Sequence, residues 1–469
     1  MKLQSQIATR KTHDVVVIGG GSAGYAAARI ARDAGADVAI VDQGPLGGLC
    51  ILRGCMPTKA ILRSAEVAAL LRRTREFGLS SVSSSADLSA IVDRKDRLIR
   101  EFANYRIQQL HDPAFALYES PGRFCSPREI DIEGARLSAH TFIIATGSSP
   151  SEVAIPGLSD VDFFTSDTIL DLRTQPASLL VLGAGPVALE LGQFFARLGT
   201  KVTILQRGRT VLSQMDGDVG LALEAALKED GIEVVTEAQV LRVTCQEGRK
   251  SVWVQHHGQE RVFAAEAILQ ALGRRPNIAG LQLDAAGVDV TGGRIVVDAA
   301  MRTSQPHIFA VGDVNDLNPI VHLAIQQGEI AGYNATHAGK LARHIDHRLD
   351  AEVVFTEPQV AVVGLTERMC RSKGIRYLTA SYPFADHGKA LCLGASHGFV
   401  KLLCTPPTGE LLGAQIVGPE AGELIHELIA VMYYHGTVAD LLQMPHYHPT
   451  LAEIVTYPAE SLMEQLSAG

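Results

Sequence analysis

The sequence lacks any long hydrophobic run, since no window approaches the roughly 20 uninterrupted apolar residues that span a bilayer. It also lacks an excess of positive charge, because 42 lysines and arginines stand against 51 aspartates and glutamates and give a net charge of -9. This balance offers no general attraction to nucleic acid or anionic lipid. The segment from Met1 to His13 is polar and has no apolar secretory core. We therefore expect a cytoplasmic protein with neither a membrane nor a nucleic-acid partner.

Cysteine is scarce: the chain has seven, an odd number, and most are scattered along its 469 residues. This pattern excludes the disulfide framework of a small secreted protein. Cys50 and Cys55 are different because they stand close together. In a reducing compartment, such a pair is more often catalytic or metal-binding than structural.

The chain begins with a strand, a glycine-rich turn and a helix, the pattern of a dinucleotide-binding unit. The β-branched run 14–18 leads into a turn that contains Gly19, Gly21 and Gly24. Asp42 follows Gly24 by 18 residues, near the position of an acid that accepts ribose hydroxyls. At about 150 residues per domain, 469 residues predict two to four domains.

A second unit of the same kind follows, and Gly183 lies 164 residues after Gly19. Its turn contains Gly183 and Gly185, with Ala188 in the third position, a variant that the fingerprint allows. Each turn precedes a helix whose N-terminus favours a pyrophosphate, although a simple tight turn would also need glycine. Two dinucleotides in one chain predict that one cofactor passes electrons to the other.

The close cysteine pair directly precedes a predicted apolar helix, with Pro57 in the first turn of that helix. A helix N-terminus stabilises the thiolate of Cys55, which is the form that an exchanging nucleophile needs. Two alternatives stay open at this point. One is a zinc site completed by His446 and His448, and the other is a structural disulfide.

Near the C-terminus, His448 precedes Glu453 by five positions, with Pro449 between them. An imidazole held by a carboxylate is a good acid–base group at neutral pH. Taken alone, a histidine beside a proline is more often part of an ordinary surface loop.

Together these features resemble the class I pyridine nucleotide-disulfide oxidoreductases, or flavoprotein disulfide reductases, which include dihydrolipoamide dehydrogenase, glutathione reductase and mercuric reductase. The motifs Cys-x-x-x-x-Cys-x-Pro-Thr-Lys and His-Pro-Thr carry the resemblance, which runs from about Asp14 to the end. It is strongest for dihydrolipoamide dehydrogenase, while the helix after Gly185 is similar to that of mercuric reductases.

The resemblance implies an α/β fold with two Rossmann-like dinucleotide-binding domains, for FAD and NAD(P), and a C-terminal α+β dimerisation domain. It therefore implies a homodimer. The implied segments are 1–150 and 274–345 for FAD, 151–273 for NAD(P), and 346–469 for the dimer interface.

The resemblance also implies roles for the site residues. Cys55 would be the thiol beside the flavin and Cys50 the thiol that exchanges with substrate. Lys59 would lie by the flavin ring, paired with Glu190. The implied FAD contacts are Gly19, Gly21, Gly24, Asp42, Thr146, Gly147, Gly312 and Asp313, and the implied nicotinamide contacts are Gly183, Gly185, Ala188, Gln206 and Arg207.

His448 and Glu453 would form an acid–base pair that is presented to the cysteines of the partner subunit, and no metal site is implied. The chain departs from the family pattern beside the cysteines. Leu49 and Leu52 stand where the family usually has threonine and asparagine. The surroundings of the pair are therefore less polar than usual, but no catalytic group is removed.

The nicotinamide is indicated by the residues after the second strand of its unit. NAD-specific members place glutamate at the position of Gln206, whereas a 2′-phosphate requires cations. Here Gln206 is followed by Arg207, and Arg209 lies close by. We therefore favour NADP, with NAD as the alternative.

A dihydrolipoamide-type dithiol, small or protein-bound, is the favoured substrate, and a glutathione-like or other low-molecular-weight disulfide is the alternative. Mercury reduction is less favoured, because the chain keeps His448 and ends without the cysteine pair of mercuric reductases. A flavin oxidase or transhydrogenase and a non-catalytic flavoprotein subunit are further alternatives. The direction of electron flow and membership of a multienzyme complex are left open.

Overall fold

The computed structural model describes residues 11–82 and 85–468. Contacts between Cα atoms divide the chain into two units, each built from separated segments. The first unit comprises the chain up to Thr58, Asp93–Ser151 and Gly273–Ile345, and the second comprises Lys59–Val92, Glu152–Leu272 and the chain from Asp346 onward.

The elements are numbered in chain order. The strands are β1 (Lys11–Ile18), β2 (Val38–Val41), β3 (Phe115–Tyr118), β4 (Gly122–Ser126), β5 (Glu129–Ile132), β6 (Ala135–Ile144), β7 (Ser148–Pro150), β8 (Phe164–Thr165), β9 (Ser178–Leu182), β10 (Lys201–Leu205), β11 (Glu233–Val235), β12 (Ala238–Gln246), β13 (Arg249–His256), β14 (Gln259–Ala265), β15 (Ala267–Gln270), β16 (Arg274–Pro276), β17 (Val290–Thr291), β18 (Arg294–Ile295), β19 (Ile308–Ala310), β20 (Ala351–Val354), β21 (Gln359–Gly364), β22 (Leu378–Pro383), β23 (Phe399–Cys404) and β24 (Leu411–Gly418). The α-helices are α1 (Ser22–Asp33), α2 (Gly48–Leu52), α3 (Cys55–Arg72), α4 (Leu88–Leu110), α5 (Pro186–Leu198), α6 (Gly217–Glu229), α7 (Leu283–Ala286), α8 (Val321–Thr336), α9 (Glu367–Lys373), α10 (Gly388–Leu393), α11 (Ala421–Tyr433), α12 (Val438–Gln443) and α13 (Thr456–Ala468).

The first unit is organised around a parallel sheet in the order β3-β2-β1-β6-β19. The last four residues of β1 and all of β2 are buried, as a parallel sheet covered by helices on both faces requires. The long strand β6 also pairs in antiparallel register with β5, which in turn pairs with β4. β7 and β16 form a two-stranded ribbon where the chain leaves and re-enters this unit.

Helices α1 and α8 pack closely in the first unit because small residues face each other. A Cβ atom on Gly328 would lie 2.2 Å from the carbonyl oxygen of Ala23, and one on Gly332 would lie 2.5 Å from that of Ala27. Only glycine permits this approach. The contact therefore fixes α1, the helix that begins at the first glycine-rich turn.

The second unit contains a parallel sheet in the order β11-β10-β9-β15-β8. Helix α5 connects β9 to β10, as the second predicted βαβ unit requires. The strands β12, β13 and β14 form a separate antiparallel sheet that the sequence analysis did not identify. Much of β14 is exposed, so it lacks the apolar run that marks a buried strand.

The C-terminal part of the second unit is an antiparallel sheet in the order β20-β21-β24-β23-β22. Helix α11 packs on β21 and β24, and α13 packs on β22 and β23. The predicted α/β class, with two parallel-sheet units and a C-terminal α+β region, is confirmed.

Within residues 11–82 and 85–468, none of the helices combines the length and apolar content needed to span a bilayer.

Candidate active site

The first glycine-rich turn can form only with glycine. Gly19 has φ +106°, and a Cβ atom there would lie 2.3 Å from the carbonyl oxygen of Ala145. A Cβ atom on Gly24 would lie 1.8 Å from the carbonyl oxygen of Gly19. The turn thus brings the chain from β1 directly into α1, which starts at Ser22. The N–H groups of the first helical turn have no partner within the helix and can bind an anion.

Asp42 holds this turn in place from the end of β2. Its two carboxylate oxygens accept hydrogen bonds from the backbone N–H groups of Gly20, at 2.6 Å, and Gly44, at 2.7 Å. Asp42 therefore fixes the backbone of the turn, in addition to any contact with a ribose. The sequence pattern did not indicate this structural role.

The segment before the cysteines lies against the same turn. A Cβ atom on Gly48, which has φ +76°, would come within 2.7 Å of the Cα atom of Gly21, so the position of Gly48 needs glycine. Cys50 belongs to the short helix α2, which begins at Gly48. The backbone thus links the first glycine-rich turn to the cysteine segment by direct contact.

Cys55 is the first residue of the 18-residue helix α3, and both Cys50 and Cys55 are half-buried. Gly54 makes the tight connection between α2 and α3. A Cβ atom there would lie 3.3 Å from the Cα atom of Cys50. At the N-terminus of α3, the helix dipole favours the thiolate form of Cys55.

Arg106 on α4 packs against α1. Its guanidinium carbon lies 4.3 Å from the ring centroid of Tyr25, in the first turn of α1. Its Nε and Nη1 atoms are buried and have no hydrogen-bond partner among the described residues. Burial lowers the pKa of Arg106, while Tyr25 and Cys50 oppose that shift. A buried cation without an anionic partner is costly, so this position suits an anionic ligand.

Thr146 and Asp313 are each held by hydrogen bonds to residues at or next to the β7–β16 ribbon. Thr146 Oγ1 donates to the carbonyl oxygen of Asn277 at 2.7 Å, and Asn277 Nδ2 donates back to the Thr146 carbonyl at 3.0 Å. Ser148 Oγ donates to Asp313 Oδ2 at 2.6 Å and accepts from Arg274 Nε at 2.9 Å. Ser148, Arg274 and Asn277 were not identified from the sequence.

Gly147 and Gly312 both have positive φ, at +69° and +73°. The N–H of Gly312 donates to Oε1 of Gln327 at 2.8 Å, and Asn315 Nδ2 donates to the same oxygen at 2.9 Å. Gln327 is fully buried on α8. The turn that carries Asp313 is thus fixed to the helix that packs on α1.

Lys59 follows Cys55 by one turn of α3, so the two side chains project from the same face. Its Nζ atom donates to Glu190 Oε1 and Oε2, at 3.0 and 2.8 Å. Glu190 also accepts the N–H of Phe355 at 2.8 Å, and Lys59 Nζ lies 4.3 Å from the ring centroid of Phe355. This cation is therefore held by a buried carboxylate and an aromatic ring.

The second glycine-rich turn has the same construction as the first. Gly183 has φ +100°, and a Cβ atom there would lie 2.6 Å from the carbonyl oxygen of Ala271. Gly185 faces open space at the N-terminus of α5, while Ala188 is buried. The turn therefore leaves room for a ligand where the N–H groups of α5 point outward.

Gln206 and Arg207 follow the end of β10. The side chain of Gln206 donates to the carbonyl oxygen of Thr210 at 3.2 Å. Arg207 is exposed and has no ion-pair partner in the part of the chain that the structure describes. Arg209 Nε, by contrast, lies 3.6 Å from Glu237 Oε1. Arg207 is thus the guanidinium available to an anion at this strand end.

His448 and Glu453 form a pair. His448 Nδ1 lies 3.0 and 3.2 Å from the two carboxylate oxygens of Glu453. The His448 side chain is 81% exposed and that of Glu453 only 14%. Because Nδ1 is held, Nε2 is the nitrogen that can exchange a proton with a ligand. The fully buried His387 approaches Glu453 from the other side, with its Nε2 atom 3.5 Å from Oε1.

His446, weighed above as a zinc ligand, has its own partners. Its Nε2 lies 2.8 Å from Glu427 Oε1, and its Nδ1 lies 3.0 Å from the carbonyl oxygen of Met444. In residues 11–82 and 85–468, no group of three or more His, Cys, Asp or Glu side chains is arranged to hold a metal ion.

Two family models match the chain. The pyridine nucleotide-disulphide oxidoreductase model matches residues 13–328, and the model of the dimerisation domain of the same family matches residues 351–459. The chain belongs to the pyridine nucleotide-disulphide oxidoreductase family. The predicted family is thereby confirmed, and the protein is an enzyme of a family that uses FAD and NAD(P).

Similar members of this oxidoreductase family have different names. A mercuric reductase of Staphylococcus aureus is 34% identical over 429 residues, which cover 91% of this chain and 78% of that protein. A dihydrolipoyl dehydrogenase of Thermus scotoductus is 37% identical over 435 residues, which cover 91% of this chain and 92% of that protein. Sequence similarity therefore establishes the family but not the substrate.

Two solved structures support the same family. LpdA of Mycobacterium tuberculosis matches with a TM-score of 0.86 and 28% identity, over 96% of this chain and 100% of LpdA. The HOCl-induced flavoprotein disulfide reductase RclA of Escherichia coli matches with a TM-score of 0.84 and 26% identity, over 95% of this chain and 99% of RclA.

The residues present in this oxidoreductase fit both family cofactors. For FAD, the turn from Gly19 to Gly24 leaves N–H groups at the start of α1, and the guanidinium of Arg106 lies against the same helical turn. For the nicotinamide nucleotide, Gly185 leaves the N-terminus of α5 open, and Arg207 has no ion-pair partner among the described residues. Each site thus combines a helix N-terminus with a nearby cation, the combination that binds phosphate.

Proposed function

We propose that this enzyme moves electron pairs between NADPH and a dithiol or disulfide of the dihydrolipoamide type, through FAD and then Cys50 and Cys55. The main support is the pair of His448 and Glu453. Thiol–disulfide exchange needs a base for the attacking thiol and an acid for the leaving thiolate, and an imidazole held by a carboxylate does both.

The proposed domain assignment follows the sequence segments. Residues 1–150 and 274–345 hold FAD, residues 151–273 hold the nicotinamide nucleotide, and residues 346–469 join two chains into a homodimer. The match of the family's dimerisation model to residues 351–459 supports the last assignment.

FAD, when bound, would carry an electron pair between the nicotinamide and the Cys50–Cys55 pair, in either direction. We propose that the N–H groups at the start of α1 and the Arg106 guanidinium bind its pyrophosphate. Asp42 binds the adenosine ribose, and Asp313 binds the ribitol. The remaining proposed contacts are Gly19, Gly21, Gly24, Thr146, Gly147 and Gly312.

Cys50 and Cys55 have different proposed roles in thiol–disulfide exchange. When a dithiol is oxidised, one substrate thiolate attacks the Cys50 sulfur, the Cys50–Cys55 bond breaks, and Cys55 leaves as a thiolate. The second substrate thiol gives its proton to His448 and attacks the substrate sulfur of the mixed disulfide, which expels Cys50 as a thiolate. One substrate disulfide and one reduced cysteine pair result. The α3 dipole stabilises the Cys55 thiolate, which supports placing Cys55 beside the flavin.

Lys59 lies on the same face of α3 as Cys55, one turn along, which supports a place for its ammonium group beside the flavin ring. Glu190 holds that ammonium group in one position. The proposed role of Glu190 is therefore positional, and that of Lys59 is electrostatic.

The preference for NADPH rests on Gln206 and Arg207. A neutral amide cannot accept both hydroxyls of an NAD ribose as a carboxylate does, and Arg207 is available to a 2′-phosphate. Gly183, Gly185 and Ala188 form the turn that faces the nucleotide pyrophosphate.

Mercuric ion is a second candidate substrate, because a mercuric reductase is among the most similar relatives. Reduction of a metal ion needs thiolates but releases no thiol that must be protonated. The His448–Glu453 pair has a use in dithiol chemistry and none in mercury reduction, so the dithiol is preferred.

A substrate panel tests the proposal. Dihydrolipoamide, oxidised glutathione, coenzyme A disulfide and mercuric ion are each assayed with NAD(H) and NADP(H), using wild-type enzyme and His448→Ala. We expect the highest kcat/KM with the lipoamide couple and a loss of about 10²–10⁴-fold in His448→Ala. Turnover of mercuric ion above that of every disulfide, unchanged in His448→Ala, would contradict the proposal.

The oxidase or transhydrogenase and the non-catalytic subunit are distinguished by anaerobic titration with one equivalent of dithionite. A reduced cysteine pair beside flavin should give a long-wavelength thiolate-to-flavin absorbance band. The band should persist in Cys50→Ser and disappear in Cys55→Ser. The reverse result would exchange the proposed roles of the two cysteines. Absence of the band in wild type would contradict the proposed function and favour the oxidase or transhydrogenase, or the non-catalytic subunit.

A further inference from the structure

His387 is a buried histidine that lies close to the carboxylate of the proposed acid–base pair. It lies at the N-terminus of α10 and is fully buried. Neither ring nitrogen has a well-formed hydrogen bond among the described residues, but Nε2 lies 3.5 Å from Glu453 Oε1. Glu453 therefore lies between two imidazoles, His448 on its exposed side and His387 on its buried side.

Aromatic rings fix the orientation of the His387 ring. The ring of Tyr457 meets it edge-on at a centroid distance of 6.2 Å, and Phe384 does so at 6.5 Å. Tyr457 is in turn stacked on Tyr382 at 4.2 Å. These neighbours leave the imidazole little freedom to turn away from Glu453.

The titratable groups around His387 come from few elements. Glu453 is on the short helical turn Ala452–Val455, Tyr457 is on α13, Tyr382 is on β22, and Asp386 is the preceding residue. Burial lowers the pKa of His387, Glu453 opposes that shift, and His448 adds to it. His387 is therefore neutral at neutral pH and carries a single ring N–H.

We propose that His387 is a positioning residue, whose Nε2–H donates to Glu453 and so holds the carboxylate in line with Nδ1 of His448. This inference deepens the proposed function and rests on it. With the carboxylate fixed, His448 keeps Nδ1 inward and presents Nε2 to substrate. When pH falls, protonation of His387 places a second positive charge beside Glu453, so His387 then competes with His448 for that carboxylate.

Two substitutions separate packing from hydrogen bonding. His387→Phe keeps an aromatic ring but removes the donor, whereas His387→Asn keeps a donor that does not titrate. His13→Asn is the matched control, because His13 is 1% exposed, has Asp37 2.9 Å from Nδ1 and also has a pKa lowered mainly by burial. FAD content and near-UV circular dichroism identify any variant that does not fold.

The first measurement is turnover of dihydrolipoamide against pH, with NADPH-driven ferricyanide reduction as a readout that needs neither cysteine nor His448. We expect His387→Phe to lower dithiol turnover about tenfold, less than the roughly 10²–10⁴-fold of general acid–base help, because His448 and Glu453 themselves remain. His387→Asn should retain most of the rate with an altered acid limb. Ferricyanide reduction should not change, and His13→Asn should resemble wild type. Wild-type rates and pH profiles in both His387 variants would overturn the inference.

The second measurement is an NMR titration of labelled histidines, which does not depend on the substrate. In wild type, the ring signals of His448 should change when His387 takes up its proton, and that change should be absent from His387→Asn. Identical pH-dependent changes of the His448 signals in the two proteins would overturn the inference. If His448→Ala itself retained full dithiol turnover, the proposed function would fail, while the NMR result would still report the coupling of the two histidines separately.

Discussion

Lys59 donates hydrogen bonds to both carboxylate oxygens of Glu190, a residue 131 positions away in the chain. The Glu190 side chain is 4% exposed, whereas that of Lys59 is 33% exposed. Loss of this ion pair would therefore be more costly for the buried Glu190 carboxylate than for the Lys59 ammonium group, which water can reach. Without Lys59, Glu190 would keep only the hydrogen bond from the N–H of Phe355.

We expect Lys59→Met to lower the free energy of unfolding by about 2–4 kcal/mol, because it leaves a buried carboxylate uncompensated while the exposed part of Lys59 limits the loss. Glu190→Gln should cost about 1 kcal/mol, since the amide still accepts the Phe355 N–H. Denaturant unfolding of the holoenzyme measures both. Arg63→Met is the control, because Arg63 makes an exposed ion pair with Glu66 on the same helix. Equal shifts for Lys59→Met and Arg63→Met would contradict the argument.

Arg106 should contribute to FAD affinity, because its buried Nε and Nη1 atoms have no hydrogen-bond partner within residues 11–82 and 85–468 and a pyrophosphate would supply one. We expect Arg106→Gln to raise the Kd for FAD about 10- to 100-fold, the equivalent of one hydrogen bond to a charged group. Titration of apoprotein with FAD, followed by flavin fluorescence, gives the Kd. Arg100→Gln changes an exposed arginine of the same helix and should leave it unchanged. A wild-type Kd in Arg106→Gln would remove this residue from the site.

The nicotinamide preference should depend on Gln206 and Arg207. We expect wild-type enzyme to have the higher kcat/KM with NADPH, and Gln206→Glu combined with Arg207→Ala to shift the preference towards NADH. Each lost contact with the 2′-phosphate should cost about 1.5–3 kcal/mol. Arg209→Ala should have a smaller effect, since Arg209 already lies near Glu237. A wild-type preference for NADH of about tenfold, or 1.4 kcal/mol, would refute the assignment.

The glycine-rich turns and the cysteine helix could be predicted from sequence because their residues are dictated locally. Gly19 and Gly183 have positive φ and contact backbone atoms, so no other residue type is tolerated and the pattern is visible. The start of α3 at Cys55 follows from the same local rules. The family resemblance supplied the expected roles of these residues.

Arg106 and His387 could not be predicted in this way, because their significance arises from contacts distant in sequence. The amphipathic pattern of α4 does not distinguish Arg106 from the exposed Arg100. His387 is 66 residues from Glu453, and nothing in the sequence around it indicates a carboxylate neighbour. Such contacts depend on how strands and helices pack, which sequence periodicity does not specify.

Stability should fall between about pH 7 and pH 5, partly because of His13 and His387. Burial lowers the pKa of both, so the folded protein favours the neutral rings, while the unfolded chain binds protons at its ordinary pKa of about 6.5. Stability is therefore fully present above that pH and is lost as pH falls, by up to about 1.4 kcal/mol per pH unit for each group. Denaturant unfolding of wild type, His13→Asn and His387→Asn at pH 7.5 and 5.5 gives the change in the free energy of unfolding between the two pH values. Variants as sensitive to pH as wild type would contradict the prediction.

The active site should be shared between two subunits, with His448 of one chain serving the cysteines of the other. The support is family membership and the match to the dimerisation domain, which contains His448, whereas the cysteines lie in the residues that match the oxidoreductase model. Homodimers of Cys55→Ser and of His448→Ala should both be nearly inactive in dithiol turnover, the second by about 10²–10⁴-fold.

Heterodimers that carry Cys55→Ser in one chain and His448→Ala in the other decide between the two arrangements. In a shared site, the intact cysteines of the His448→Ala chain meet the intact His448 of the Cys55→Ser chain, which restores one working site of two. In a site built within one chain, both sites of the heterodimer carry a lesion. We therefore expect purified heterodimer, isolated with two different affinity tags, to have about half the wild-type activity. Activity no higher than that of the two mutant homodimers would show that each chain forms its own site.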